Sequence, residues 1–208
     1  MTTNKGRFIT FEGIDGSGKT TQIARLKQHI EAKGIRCYDT LEPTSGPIGS
    51  TIRQCLTGRT KMDEQTLAAL FAADRLDHLL NETDGLCHKI DSGIAVICDR
   101  YILSSYAYQS VRVPLERVME LNHMACDILR PDCHIFIDVD PEVSMERMKK
   151  GRFHAELFET KNRLTEVRNR YFELFDMLKE TESIIIINGN QTVEQIESDI
   201  WDSVSHLF

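Results

Sequence analysis

The chain has 208 residues, 41% hydrophobic and 27% charged, which suits one globular domain with a sizeable core. A net charge of −7 argues against nucleic acid as a partner, and no apolar run approaches the roughly 20 residues that a membrane-spanning helix needs. Six cysteines (Cys37, Cys55, Cys87, Cys98, Cys126 and Cys133) make no C-x-x-C pair and no metal-ligand spacing, so reduced thiols in a cytoplasmic protein are expected.

The opening residues Met1–Gly6 read as no signal peptide. A short apolar strand is expected at Phe8–Phe11. It runs into Gly13-Ile14-Asp15-Gly16-Ser17-Gly18-Lys19-Thr20, which is G-x-x-x-x-G-K-[ST]. Thr21 to Lys27 then continue as helix. Glycines at 13, 16 and 18 let the backbone turn its N–H groups around a polyphosphate, and the helix N-terminus adds partial positive charge there. Ser17, Thr20 and Thr21 stand with this loop. Lys19 is placed to reach the outer phosphates, and the Thr20 hydroxyl to hold Mg²⁺. A second strand is expected at Arg36–Leu41. Apolar residues at helical spacing, including Leu67, Leu70, Phe71, Leu79 and Leu80, predict one long helix from about Asp63 to Ile90, long enough to carry a subunit interface.

The third strand, Ile94–Cys98, ends at Asp99, with Cys98 expected in the core. Asp99 reads either as the acidic partner of the phosphate loop, orienting Mg²⁺ or its waters, or as a cap for the next helix. Arg100 beside it suits a phosphate. A fourth strand covers His134–Val139. Asp140-Pro141 starts a helix there, with Asp140 as N-cap and proline in the first turn. Residues 148–157, basic and interrupted by Gly151, read as a lid. A helix is expected over Glu156–Leu178. The last strand, Ser183–Ile187, carries four consecutive isoleucines and is expected to be buried on both faces.

Strands alternating with helices predict an α/β fold: a five-stranded parallel sheet with helices on both faces. Ligands in such folds bind beyond the carboxyl ends of the strands. The motifs fall there. Phe71 and Arg75 are i and i+4 on one helix face, so a ring and a guanidinium can address one planar ligand, although Phe71 taken alone reads as core before ligand contact.

Several blocks in order resemble the thymidylate kinases, a family of P-loop nucleoside monophosphate kinases. They are Phe11-Glu12-Gly13 through Gln22, Glu42-Pro43 with Gly49 and Arg53, Phe71-Ala72-Ala73-Asp74-Arg75 with His78, Asp99-Arg100-Tyr101 with Ser104-Ser105 and Ala107-Tyr108-Gln109, and Pro131-Asp132 followed by Asp138 to Glu142 and Arg147. The resemblance implies transfer of the γ-phosphate of ATP to dTMP, with Mg²⁺, in a protein that is usually a homodimer. It implies that Phe71 stacks on thymine and Arg75 bonds its edge, with Gln109 and Ser105 near the base. Asp15 would meet the 3′-hydroxyl, Arg100 and Arg53 the monophosphate, and Arg147 the adenine, with Glu42 beside the acceptor. Lys19, Asp15, Arg100 and Arg152 form the expected catalytic set.

The chain departs from the family pattern at three places. Leu41 replaces the arginine of R-E-P. Thr44 to Gly49 differ from the common Gly-Gly-Thr form. Gly151-Arg152-Phe153-His154 differs from the usual lid. With glycine at position 16 the loop supplies no arginine, so Arg152 is the expected lid arginine. Lys149, Lys150 and Arg152 also read as a solvated helix end, and Arg163 reads as an exposed residue well inside the following helix. Rival readings are a paralogue acting on another nucleotide or nucleoside, a weak binding protein, and a GTP-binding switch. The last lacks an N-K-x-D reader, because Thr60-Lys61-Met62-Asp63 lies in the wrong place.

Overall fold

The computed structural model describes residues 5–151 and 160–208, with the side chains of positions 150 and 151 left aside. Five strands form one sheet: β1 (Phe8–Glu12), β2 (Cys37–Leu41), β3 (Ala95–Asp99), β4 (Cys133–Asp138) and β5 (Ile184–Asn188). The order is β2-β3-β1-β4-β5 and every pairing is parallel. The expected parallel α/β sheet is therefore present. Around it lie α1 (Lys19–Ala32), α2 (Pro47–Leu56), α3 (Glu64–Leu80), α4 (Leu86–Asp91), α5 (Ile102–Gln109), α6 (Leu115–Ile128), α7 (Pro141–Gly151), α8 (Lys161–Leu178) and α9 (Val193–Val204).

Successive residues of a strand point to opposite faces, so each central strand feeds two cores. Phe8, Val96 and Phe136 pack with Tyr101, Tyr171 and Phe175 on one side. Ile9, Ile97 and Ile137 pack with Ile23, Leu26, Ile30 and Ile200 on the other. Each such fully buried side chain contributes about 1.5–3 kcal/mol. Because both faces are covered, β1 is a rigid platform, and the loop after it is held in place.

Three sequence expectations change. The long helix ends at Leu80. Asn81 Oδ1 accepts the N–H groups of Thr83 and Asp84 at 3.0 and 3.2 Å, a local turn that competes with helix, and α4 starts anew at Leu86. The isoleucine strand is an edge strand with β4 as its partner, and Ile186 is 50% exposed. A run without alternation carries no information about how many sheet faces are covered. Residues 148–151 of the expected lid continue α7. The upstream part of the helix expected from Glu156 lies outside the described residues. Its described start is Lys161, with Thr160 as N-cap.

The Asp140-Pro141 start holds: Pro141 opens α7 and the Asp140 carbonyl accepts Ser144 N–H at 2.9 Å. No helix among the described residues is long and apolar enough to cross a membrane.

Candidate active site

Two clefts open side by side at the carboxyl ends of the strands. The first, about 650 Å³, is lined by the loop after β1, the start of α1, Asp99 and Arg147. Gly13, Gly16 and Gly18 take φ of 141°, 73° and 99°, where side chains are disfavoured. A β-carbon would also lie 2.8 Å from the Ile137 carbonyl oxygen at Gly13 and 2.8 Å from that of Ser144 at Gly16. The loop is anchored from above, because the Ser144 hydroxyl donates to the Asp15 carbonyl.

Lys19 is buried, and its ammonium donates to the carbonyls of Gly13 at 3.1 Å and Ile14 at 3.2 Å. Burial, then the charge of Arg100, pushes its pKa down to about 8, against the pull of Asp99, Asp15 and Glu12. An anion in this cleft would reverse that shift. Thr20 and Thr21 lie along the cleft at the start of α1, next to Ser17. Asp99 Oδ1 is buried and has no hydrogen-bond partner among the described residues. Arg147 spans the rim, donating to Ser17 O at 3.2 Å and Gly189 O at 2.9 Å.

The second cleft, about 320 Å³, is bounded by Phe71, Leu41, Leu56 and Leu67 and carries charged residues. Its size is that of a small-ligand site. Arg100 sits between the two clefts. It has φ of 71°, the one positive value for a non-glycine among the described residues. Strained backbone of this kind persists only where the surroundings enforce it. Here the Arg100 N–H donates to Phe11 O at 2.8 Å, and the guanidinium donates to Asp15 at 2.7 Å, Ser104 Oγ at 3.2 Å and the Tyr108 hydroxyl at 3.2 Å. The Tyr108 hydroxyl in turn donates to Asp15 at 3.2 Å. Arg53 reaches the same cleft and donates to Pro43 O at 2.8 Å.

Arg75 is 1% exposed. It donates to Glu42 through Nε at 2.9 Å, and its Nη2 lies 2.7 Å from the same oxygen. Nη1 donates to Ser105 Oγ at 3.0 Å and to Asn122 Oδ1, and Nη2 also donates to Tyr101 O at 2.9 Å. Burial, the largest single effect, opposes the charge, but Glu42 together with Tyr101 and Glu12 raises the pKa. Glu42 also meets His78 Nδ1 at 3.1 Å, while His78 Nε2 meets Thr40 Oγ1 at 2.9 Å. Ligand atoms of Glu42, His78 and Cys98 lie within 4.8 Å of one another. Burial pushes the Cys98 thiol well above its usual pKa, and Arg75 already neutralises Glu42, so this cluster is a hydrogen-bonded core.

The fold thus brings Asp15, Ser17, Lys19, Thr20, Asp99, Arg100 and Arg147 to the first cleft, and Glu42, Arg53, Phe71, Arg75, Ser105 and Gln109 to the second. Leu41, 53% exposed, stands at the mouth of the second. Arg152 lies outside the described residues.

Three residues escaped the sequence reading. Glu12 is a fully buried carboxylate that accepts from Tyr101 N at 3.0 Å, Ser104 Oγ at 2.5 Å and Tyr171 OH at 2.9 Å. An acid ending an otherwise apolar strand was its visible signal. Asn122, which holds Arg75, was signalled only by an amide at helical spacing with Val118 and Ala125. Arg163 reverses an expectation: it is the third residue of α8 and lines the second cleft.

The family profile described as "Thymidylate kinase" matches residues 11–200. The chain is 36% identical over 199 residues to "Thymidylate kinase" of Caldicellulosiruptor saccharolyticus, covering 92% of each chain. It is 39% identical over 194 residues to "Probable thymidylate kinase" of Methanocaldococcus jannaschii, covering 93% of each. For "Thymidylate kinase" of Acholeplasma laidlawii the identity is 37% over 204 residues, 95% of this chain and 98% of the relative.

Proposed function

From its membership of the thymidylate kinase family, we propose that this protein transfers the γ-phosphate of ATP to dTMP, giving dTDP and ADP. The observation that carries the reading is Arg100. It joins a phosphate-loop cleft to a second cleft sized for a nucleotide, so two anions brought there meet across one cation. The acceptor is already an anionic phosphate and needs no general base. Catalysis is positioning and charge neutralisation.

In this reading Lys19 and the N–H groups of Gly13 to Thr21 hold the ATP phosphates, and Arg147 flanks the adenine. Arg100 and Arg53 take the acceptor phosphate, Asp15 the 3′-hydroxyl, and Phe71 with Arg75, Ser105 and Gln109 frames the base beside Glu42. The unpartnered Asp99 Oδ1 near Thr20 fits a magnesium ion held by these two residues. When bound, the ion would neutralise charge on the polyphosphate.

Leu121, Met124 and Ile128 form an exposed apolar stripe at i, i+3 and i+7 on α6. That stripe supports a homodimer. Six free thiols support a reducing, cytoplasmic setting.

A coupled ADP-release assay over the nucleoside monophosphates tests the reading. dTMP should exceed dCMP and dGMP in kcat/KM by about tenfold or more, because a wrong base leaves polar groups unpaired. Equal values for dTMP and dCMP would remove it.

Two further outcomes are expected. In the free protein Lys19 loses its proton near pH 8, well below the usual value for lysine. A bound polyphosphate raises the pKa again, so binding takes up a proton and weakens as pH rises. kcat/KM for ATP should fall by up to about tenfold per pH unit above pH 8. Calorimetry in two buffers of different ionisation enthalpy should register the uptake. A flat profile with no uptake would contradict it. Arg152→Ala should lower kcat by about 100-fold, with little change in dTMP affinity, if Arg152 meets the transferring phosphate. A loss within about twofold would assign that contact to another residue.

A further inference from the structure

Arg163 is the third residue of α8, and its N–H donates to Thr160 Oγ1 at 3.3 Å. The residue lines the acceptor cleft, and its Nη2 donates to the Tyr108 carbonyl at 3.1 Å. Nη1 is buried and has no hydrogen-bond partner among the described residues. The Glu166 carboxylate lies 3.6 Å away, beyond hydrogen-bond range, and is more than half exposed. Beside Tyr108 in the chain, Gln109 also lines this cleft, and its Oε1 is likewise buried without a partner. A buried donor and a buried acceptor, neither with a hydrogen bond among the described residues, therefore belong to residues along one wall. The Arg75 guanidinium, by contrast, donates four hydrogen bonds, to Glu42, Ser105, Asn122 and Tyr101.

We propose that Arg163 is a specificity-determining residue that reads the acceptor base. The inference rests on the nucleotide-kinase reading above. Nη1–H donates to a ring carbonyl of the pyrimidine, and the Gln109 amide pairs with the adjacent ring N–H. A pyrimidine with a carbonyl beside a ring N–H supplies the two partners this wall lacks. Arg75 is the frame that holds Glu42, Ser105 and α6 in place. The Tyr108 contact fixes the fork of Arg163, so its free edge points one way, and a lysine could not reproduce both bonds.

The test separates base from phosphate. Dissociation constants are measured for dTMP and for 2-deoxyribose 5-phosphate, which has no base, with wild type, Arg163→Ala and Arg163→Met. Methionine keeps the apolar stem if alanine fails to fold. The expected result is a dTMP affinity lower by about tenfold or more in either variant, with 2-deoxyribose 5-phosphate unchanged. Gln109→Met should show the same pattern, and kcat at saturating dTMP should fall far less than kcat/KM. Equal weakening for both ligands would make Arg163 a phosphate contact and overturn the proposal. So would no change for either. If wild type turns over another mononucleotide and not dTMP, the parent reading fails by itself, and the same comparison of base present with base absent is run on that nucleotide.

Discussion

Lys19→Ala is expected to lower phosphoryl transfer by about two to three decades and leave the fold intact. A fixed cation facing developing charge in a water-poor site is worth about 3–4 kcal/mol in the transition state. Lys19 is so placed: its ammonium is buried beneath the loop and held by the carbonyls of Gly13 and Ile14. Those bonds hold the group against the loop that lines the cleft. The fold should survive because burial already disfavours the charge, as the lowered pKa shows. Removing a cation that the interior tolerates poorly costs little stability. Turnover and thermal unfolding of the same sample check both halves. Near-wild-type kcat in a folded variant would refute the assignment of the loop.

Arg75→Met should behave in the opposite way, with its first effect on stability. The guanidinium is 1% exposed and faces a Glu42 side chain that is 3% exposed. Breaking a buried ion pair from one side leaves an uncompensated charge and typically costs about 3–5 kcal/mol. Asn122, Ser105 and the Tyr101 carbonyl lose a donor as well. Methionine keeps much of the apolar stem, so lost packing is a minor part of the effect. The double variant with Glu42→Gln removes the stranded carboxylate. It should recover part of the loss, with a coupling of at least about 1 kcal/mol. Urea unfolding of the four proteins measures this. A single-variant loss below about 1 kcal/mol, with no coupling, would mean that the pair contributes little to the fold.

Some features of this chain were legible because they are local. The phosphate loop is one: three glycines and a lysine at fixed spacing need no distant residue to make their shape. The strands at Phe8, Ile94 and His134 were legible for a related reason. Apolar runs bounded by turn residues, and alternating with helices, admit few arrangements other than a parallel sheet. Asp140-Pro141 marked a helix start through the fixed φ of proline alone. The blocks resembling thymidylate kinases named most of the residues that the fold then gathered into two adjoining clefts.

Other features depend on contacts between residues far apart in the chain, and tertiary structure alone decided them. Four isoleucines in a row specify a strand, but its edge position follows from the number of neighbours it has. The helix expected through Ile90 is a local exception: the Asn81 side chain turns the chain there and ends it. Arg163 looked like a surface residue because its charge gave no sign of the cleft beside it. With Thr160 as the cap, it falls on the turn that faces Tyr108. The partners of Glu12, Asn122 and Arg75 could not be read at all. Burial of a charged group is tolerable only when its partners converge, and those partners come from β1, α3, α5, α6, α8 and the residues just after β2 and before α5. Composition and local pattern thus determined the elements and the phosphate chemistry, whereas the pairing of buried polar groups, set by three-dimensional packing, decided which side chains remain open to a ligand.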